Sequence, residues 1–321
     1  MAAVHELISS EGKAHALDLA RSPKERRLVE IAARALADEG EGLGITYAGF
    51  CMTSLPHKRL SDEGREWLRE NGRFSLMIEP GRLILGGRPR AYGVPYGARA
   101  RMILLYLCTQ AIRTESRTVE IGRSMRDWMG RLGIAIGGES YAAVREQAHR
   151  ISACRMTIAW RSGDGVEGFK RENIIDGMLT LPERSQEGQG SLWEDRIELT
   201  DSFYQALRAH PVPLSEPALR TISNQSLVID LYVWLVYRLH ALTRPTVVPW
   251  EALRLQFGPE YRRPRDFRRR FVEALTAALA VYPAAEVNPN QKGIELRPSR
   301  PAVAPRLIQV RLPQQLVGGS S

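Results

Sequence analysis

Apolar residues recur along the chain at two spacings, and the switches between them mark out elements. From Ser22 to Asp38 the spacing predicts a helix with Ser22 as N-cap, Pro23 at N1 and Leu28, Ile31, Ala32 and Leu36 as its buried stripe. Ile45–Thr53 and Phe74–Leu85 read as strands, the second broken by a Pro80-Gly81 turn. Ala98–Ile112 repeats at helical spacing, with Met102, Leu105, Tyr106 and Cys108 or Thr109 inward, and Thr118–Ile121 is a short strand. Ser124-x-x-Asp127 forms a capping box for a short helix that Gly133 ends. A third helix, Ser140–Ala153, buries Tyr141, Val144, Ala148 and Ile151 and exposes Arg145, His149 and Arg150. Met156–Trp160 and Asn173–Leu181 then read as strands, with a glycine-rich loop carrying Lys170 and Arg171 between them.

Helix, short strand, helix, basic helix, long hairpin is the order of a winged helix-turn-helix. The order returns after a proline-stiffened segment, His210-Pro211-Val212-Pro213, read as a hinge. Before it come a loop at 182–191, a half-buried strand at 196–200 and a helix at 202–209. After it come a short helix at 216–222, a long apolar helix at 225–242, Val247-Val248 as a strand, a helix at 249–257 and a cationic helix at 264–281. Residues 284–287 and 293–297 make a second wing with Lys292 at its edge. The expected fold class is therefore α+β and helix-rich: two tandem winged helix-turn-helix domains with an N-terminal extension. The expected boundaries are 1–92 for a helix and strands packing on the first winged domain, 93–210 and 211–298 for the winged domains, and 299–321 for a flexible tail.

Charge changes the picture most near the second third-helix. Arg262, Arg263, Arg265, Arg268, Arg269 and Arg270 stand against Asp266 alone, a net +5, while Phe267, Phe271, Ala274, Leu275 and Ala278 share one face. A helix greasy on one side and cationic on the other suits packing on a small core while lying against phosphate. Arg265, Arg268 and Arg269 are the candidates for the groove. Arg262 and Arg263 precede the helix and are candidates for backbone contact, and Arg270 leans toward a solvated flank. Arg145, His149 and Arg150 are the counterparts in the first unit, with Lys170 and Lys292 as wing candidates.

The whole chain of 321 residues carries net charge +9 with 44% hydrophobic and 25% charged residues, a globular composition whose balance favours a polyanionic partner. Cys51, Cys108 and Cys154 are far apart with no C-x-x-C, which points to a reducing cytoplasm and away from disulfides or a metal; no metal site, cofactor or catalytic residue is expected. Residues 227–242 are apolar but contain Asp230, Arg238 and His240, so they read as a buried helix and not a membrane span, and acidic and basic residues interrupt any N-terminal signal sequence. The sequence contains no G-x-x-x-x-G-K-[ST], His-x-His, H-E-x-x-H or G-x-S-x-G. Gly86-Gly87 and Gly137-Gly138 read as turns, and His57 as structural or solvent-facing.

One block is specific enough to compare with a family. It runs Gly93-Val94-Pro95-Tyr96-Gly97, Ala100-Arg101, Ala111-Ile112-Arg113-Thr114, Val119-Glu120-Ile121-Gly122-Arg123-Ser124, Trp128, Gly137-Gly138 and Glu146-Gln147-x-x-Arg150-Ile151-Ser152, with Leu55-Pro56-His57-Lys58 upstream. It resembles the plasmid-encoded RepA replication initiators of Gram-negative bacteria. The resemblance implies tandem winged-helix domains that bind double-stranded origin repeats (iterons), open the DNA, and recruit a host replication initiator and helicase, with a monomer–dimer balance in which the homodimer does not initiate. A transcriptional repressor would use the same fold. A rolling-circle nickase is the third class, and the missing His-x-His argues against it.

Overall fold

A computed structural model describes residues 2–37, 42–71, 74–120, 130, 133–134, 138–161, 167–179 and 196–303. In chain order the elements are α1 (Ala2–Asp18), α2 (Pro23–Ala37), β1 (Leu43–Tyr47), α3 (Ala48–Met52), β2 (Trp67–Asn71), β3 (Phe74–Glu79), β4 (Gly81–Leu85) and β5 (Arg88–Tyr92). Then follow α4 (Gly97–Arg113), β6 (Thr118–Glu120), α5 (Gly138–Ala153), β7 (Arg155–Arg161), β8 (Glu167–Glu172), β9 (Ile175–Leu179), β10 (Arg196–Leu199) and α6 (Asp201–Ala209). The chain continues through β11 (Pro211–Ser215), α7 (Glu216–Ile222), α8 (Ser226–Leu239), β12 (Thr246–Pro249), α9 (Trp250–Phe257), α10 (Pro264–Ala280), β13 (Val287–Pro289) and β14 (Gly293–Leu296). The chain forms two compact units: a split unit of Met1–Gly44 with Pro213–Arg311, and a central unit of Ile45–Val212. The segment read as a hinge is thus occupied by the strand β11, and the division between units falls inside β1 and again inside β11.

The split unit is built on aromatic side chains from three helices. Trp234 of α8 meets Phe257 of α9, Phe257 meets Phe271 of α10, and Phe271 meets both Phe267 and Trp250, all at ring-centroid distances between 5.4 and 5.8 Å. Its sheet has the order β12-β14-β13, with Val247 opposite Glu295 and Asn288 opposite Glu295. The first strand therefore pairs with the last and the middle strand lies at the edge, as a winged helix requires. Gly293 is needed at the crossing, because a Cβ there would fall 2.0 Å from the Val248 carbonyl oxygen.

Residues 1–37 belong to this unit, which differs from the reading of 1–92 as one extension of the first winged domain. Helix α1, absent from the sequence reading and broken at Gly12 (φ 87°), packs on α2, and α2 packs on α7 and α10. His5 Nε2 donates to the Ala280 carbonyl at 2.8 Å, satisfying a free acceptor at the C-terminal end of α10. Lys24 pairs with Glu273 of α10 at 2.5 Å. Ser22 caps α2 as expected, its Oγ accepting from the Glu25 amide, but the buried stripe is Val29, Ile31, Ala32 and Ala33, and Leu36 is exposed. Ser299 and Arg300, the start of the expected tail, are held down by the Glu286 amide and the Tyr282 hydroxyl; residues 304–321 lie outside the described residues.

The central unit holds the other winged arrangement, with one insertion that the sequence reading mistook for the wing. Its small sheet has the order β6-β10-β9, matching β12-β14-β13, with Val119 opposite Ile197 and Ile197 opposite Met178. The wing is therefore β9–β10. The β7–β8 hairpin instead completes an antiparallel sheet of order β2-β3-β7-β8, where Leu76 pairs with Ile158. Pro80-Gly81 is likewise no hairpin turn: β3 pairs with β2 and β7, whereas β4 pairs with β5. The chain turns instead at Gly86-Gly87, with φ of 58° and 74°, the paired left-handed conformations of a tight two-residue hairpin. Gly133 has φ 64°, the left-handed conformation expected at that position. The capping box at Ser124 and Asp127, the Gly137 turn and the loop at 182–191 lie outside the described residues.

Candidate nucleic-acid interface

Helix α10 is set in place before its charge comes into play. Pro264 fixes the first turn, and Phe267, Phe271, Ala274, Leu275 and Ala278 are buried, which leaves the opposite face to solvent. Arg262, Arg263, Arg265, Arg268, Arg269 and Arg270 are all exposed. They are not equivalent. Arg269 lies 3.9 Å from Asp266 and Arg270 lies 3.5 Å from Glu273, while Arg262, Arg263 and Arg265 have no ion-pair partner among the described residues. These cations crowd the positive end of a helix dipole, with only Asp266 in the first turn to oppose it. Cations at this end oppose the helix dipole instead of complementing it.

Arg268 has a different task. Its guanidinium lies over the Trp250 ring at 4.8 Å and donates to the Asn290 carbonyl at 3.0 Å, and Trp250 Nε1 donates to that same carbonyl at 3.0 Å. One carbonyl at the tip of the β13–β14 wing thereby ties α9, α10 and the wing together. Asn290 Oδ1 also accepts from the Lys292 and Gly293 amides, which holds the turn and leaves Lys292 exposed at its edge.

In the central unit, the candidates separate. Arg145 is exposed on α5. His149 is half-buried, its ring 5.4 Å from Tyr92 and its Nδ1 sharing a 3.2 Å hydrogen bond with the Tyr92 hydroxyl. Burial, then the nearby Arg145 and Arg90 charges, hold the imidazole below its ordinary pKa. Arg150, expected on the exposed face, is buried. It pairs with Glu63 at 2.7 Å and Glu146 at 2.8 Å, donates to the Val94 carbonyl at 3.1 Å and lies 5.1 Å over Tyr96. A guanidinium with that many partners inside the fold is a clasp and cannot reach a groove. Lys170 falls not in a wing-tip loop but in β8, at the register position opposite Ile158.

The motif residues behind the family resemblance converge on the same clasp. Gln147 Oε1 accepts from the Tyr96 amide at 2.9 Å. Arg101, also buried, donates to the carbonyls of Leu55 (2.7 Å) and Pro56 (3.1 Å) and to His57 Nδ1 (3.4 Å). The Pro56 carbonyl also accepts from Gly97, whose φ of 75° explains the glycine. Two buried arginines, Arg101 and Arg150, thus lock the 55–57 and 93–97 segments onto α4 and α5. Cys108 and Cys154 are buried with thiols pushed up to about 12 by desolvation, and Cys51 is raised as well, so none is a ready nucleophile. No metal-binding cluster of His, Cys, Asp or Glu occurs among the described residues, and no helix among them is long and apolar enough to cross a membrane.

Residues 94–251 match the family model for the plasmid encoded RepA protein, a span that takes in Arg101, Gln147 and Arg150 but not Glu63 or residues 55–57, and that ends before α10. Two crystal structures of domains 2 and 3 of RctB, one of them a SeMet derivative, are similar to the chain at 14% identity. They align over 76% and 77% of this chain and 94% of theirs, with TM-scores of 0.49 and 0.48. A comparison with curated proteins gives no match. Over residues 94–251, just under half of its length, the chain is therefore similar to the family of plasmid encoded RepA proteins.

Proposed function

We propose that the protein is a plasmid replication initiator that binds repeated double-stranded origin DNA sequence-specifically, with α10 and α5 as its groove-facing helices. The observation that carries this reading is the α10 face: six exposed arginines, Arg262 and Arg263 just before the third helix of a winged arrangement and four on it, with Arg262, Arg263 and Arg265 left without ion-pair partners among the described residues. Phosphates supply the anion that the helix N-terminus and its guanidiniums lack, and an arginine fork suits both phosphate and guanine. The match of residues 94–251 to the plasmid encoded RepA family supports initiation as the purpose of the binding. Opening of the origin and recruitment of host initiator and helicase follow as parts of the same proposal, with the homodimer as the inactive reservoir.

The test is a gel-shift titration with the direct repeats that flank the coding region on the plasmid, against scrambled duplex at physiological salt. Tighter binding to the repeats is expected, and equal affinity for both would sink the reading. Arg265→Ala separates two roles within it. Loss of about 1–3 kcal/mol with relaxed choice at one base pair marks a base reader. An even loss across sequences, with the salt slope falling by about 1, marks a phosphate contact.

A further inference from the structure

The β4–β5 ribbon is a second basic element that the winged arrangement does not absorb. Residues 81–92 contain Arg82, Arg88 and Arg90 and no acidic residue. All three arginines are exposed. At the tip, Ile84 pairs across the strands with Pro89, and Ile84 is 77% exposed, a large apolar side chain set in solvent among cations. The two strands pair only with each other, and the Gly86-Gly87 turn has open space around it.

The ribbon is not loose, because its base is fixed to α5. A Cβ at Gly81 would fall 1.8 Å from the Ala153 carbonyl oxygen, so the strand lies hard against the end of that helix. Tyr92 packs and hydrogen-bonds with His149, and Arg150 of α5 holds Val94 just beyond β5. Strand alternation then divides the two faces. Leu83, Leu85 and Tyr92 share the half-buried face with Arg88 and Arg90, whereas Ile84 and Pro89 share the outer face with Arg82. A ribbon of five-residue strands extends about 17 Å, enough to pass from one groove of a duplex toward the next.

We propose that this ribbon is a DNA-bending arm. With α5 in the major groove, the Ile84–Pro89 pair wedges into a base step of the flanking minor groove, while Arg82, Arg88 and Arg90 hold phosphates on either side. Isoleucine and proline are side chains that minor-groove proteins insert between base steps to kink the duplex by about 20–90°. The acid-free charge and the anchoring to a third helix select duplex DNA as the occupant over a protein surface. The inference rests on the reading of the chain as a winged-helix DNA binder.

Duplexes selected by the full-length chain from a random-sequence pool supply the probe, labelled at both ends for energy transfer. The wild type should shorten the end-to-end distance. Ile84→Ala should keep binding but lose most of that shortening, and Ile84→Phe should restore it. The Arg88→Ala/Arg90→Ala double variant should lower the salt slope of binding by about 2. All these side chains are exposed, so thermal melts should match the wild type. An undiminished bend in Ile84→Ala, or wild-type binding without any bend, overturns the proposal while leaving DNA recognition intact. A change of oligomeric state in Ile84→Ala by light scattering, with the bend unchanged, assigns the ribbon to a second copy instead. Failure of the wild type to select any duplex removes the DNA-binding reading itself, and the arm with it.

Discussion

The two winged arrangements share a strand order, β6-β10-β9 and β12-β14-β13, yet use the arginines of their third helices in opposite ways. On α10 the arginines face solvent, and the one most engaged within the fold, Arg268, still lies on the surface, bracing the wing. On α5 the arginine nearest the helix end, Arg150, is withdrawn into the fold, where two carboxylates, a carbonyl and an aromatic ring surround it. The positive charge lost from the α5 surface is compensated by the adjoining ribbon, whose Arg82, Arg88 and Arg90 are exposed. Equal topology therefore does not mean equal chemistry. A basic residue on a third helix is a candidate for the groove only when the rest of the fold leaves it unoccupied.

The contrast is broken most forcefully at Arg150. Arg150→Ala strands Glu63, Glu146 and the Val94 carbonyl, and removes a buried guanidinium that ties α5 to the 93–96 segment. Both carboxylates are about one-third exposed, so water recovers part of the loss. A destabilisation of about 3 kcal/mol is expected, near the lower end of what breaking a buried pair costs. Arg265→Ala, at an exposed position without partners among the described residues, should stay within about 0.5 kcal/mol of wild type. Urea denaturation of both variants measures the difference. A DNA-binding defect in Arg150→Ala without loss of stability would reverse the assignment.

Local signals carried most of the fold. Pro264 and the Phe267–Ala278 stripe located α10, and the Glu216–Ile222 helix was legible from its sequence alone. What sequence could not supply was pairing between distant strands. Val119 meets Ile197 across the sheet, and nothing local in either strand announces that register, so the glycine-rich loop after β7 looked like the wing tip. Arg150 was missed because an arginine beside Val144, Ala148 and Ile151 on the wheel reads as solvent-facing. The buried arc is wider and includes Gln147 and Cys154. The available signal was Glu146 four residues before Arg150, a spacing that suits an internal ion pair. The packing of the N-terminal helices on α10 rests on long-range contacts such as His5 to Ala280, which no periodicity reveals.

Arg268 sharpens the comparison at a smaller scale, because it joins surface exposure to a structural task. Arg268→Ala removes the stack on Trp250 and one of two donors to the Asn290 carbonyl, while Trp250 Nε1 keeps the other. A stability loss of about 1 kcal/mol is expected from a partly exposed cation–π contact and one hydrogen bond. Arg268→Lys should recover the charge but not the fork that serves both contacts. Hydrogen exchange in the β13–β14 turn checks this. Faster exchange in both variants supports bracing of the wing, and unchanged exchange in Arg268→Ala removes the bracing role.

The smallest effect concerns pH, and it distinguishes the two third helices by the kind of cation each presents. The cations of α10 are arginines, whereas α5 carries an imidazole, and burial first, and Arg145 and Arg90 next, hold the pKa of His149 below its ordinary value in the folded chain. The unfolded chain takes up a proton near pH 6.5, where the folded chain resists it. The unfolded state then binds more protons, and stability falls as pH drops through that region. His149→Gln should remove this acid sensitivity while leaving stability at pH 8 nearly unchanged. Arg145→Ala removes a repelling charge, so the His149 ring proton should titrate at higher pH by NMR. Bound phosphate would act in the same direction by offsetting both arginines, so duplex DNA should also raise the His149 midpoint and its binding should tighten as pH falls. A midpoint that DNA leaves unmoved, in a protein that binds it, would place α5 away from the backbone and leave α10 as the principal reading helix.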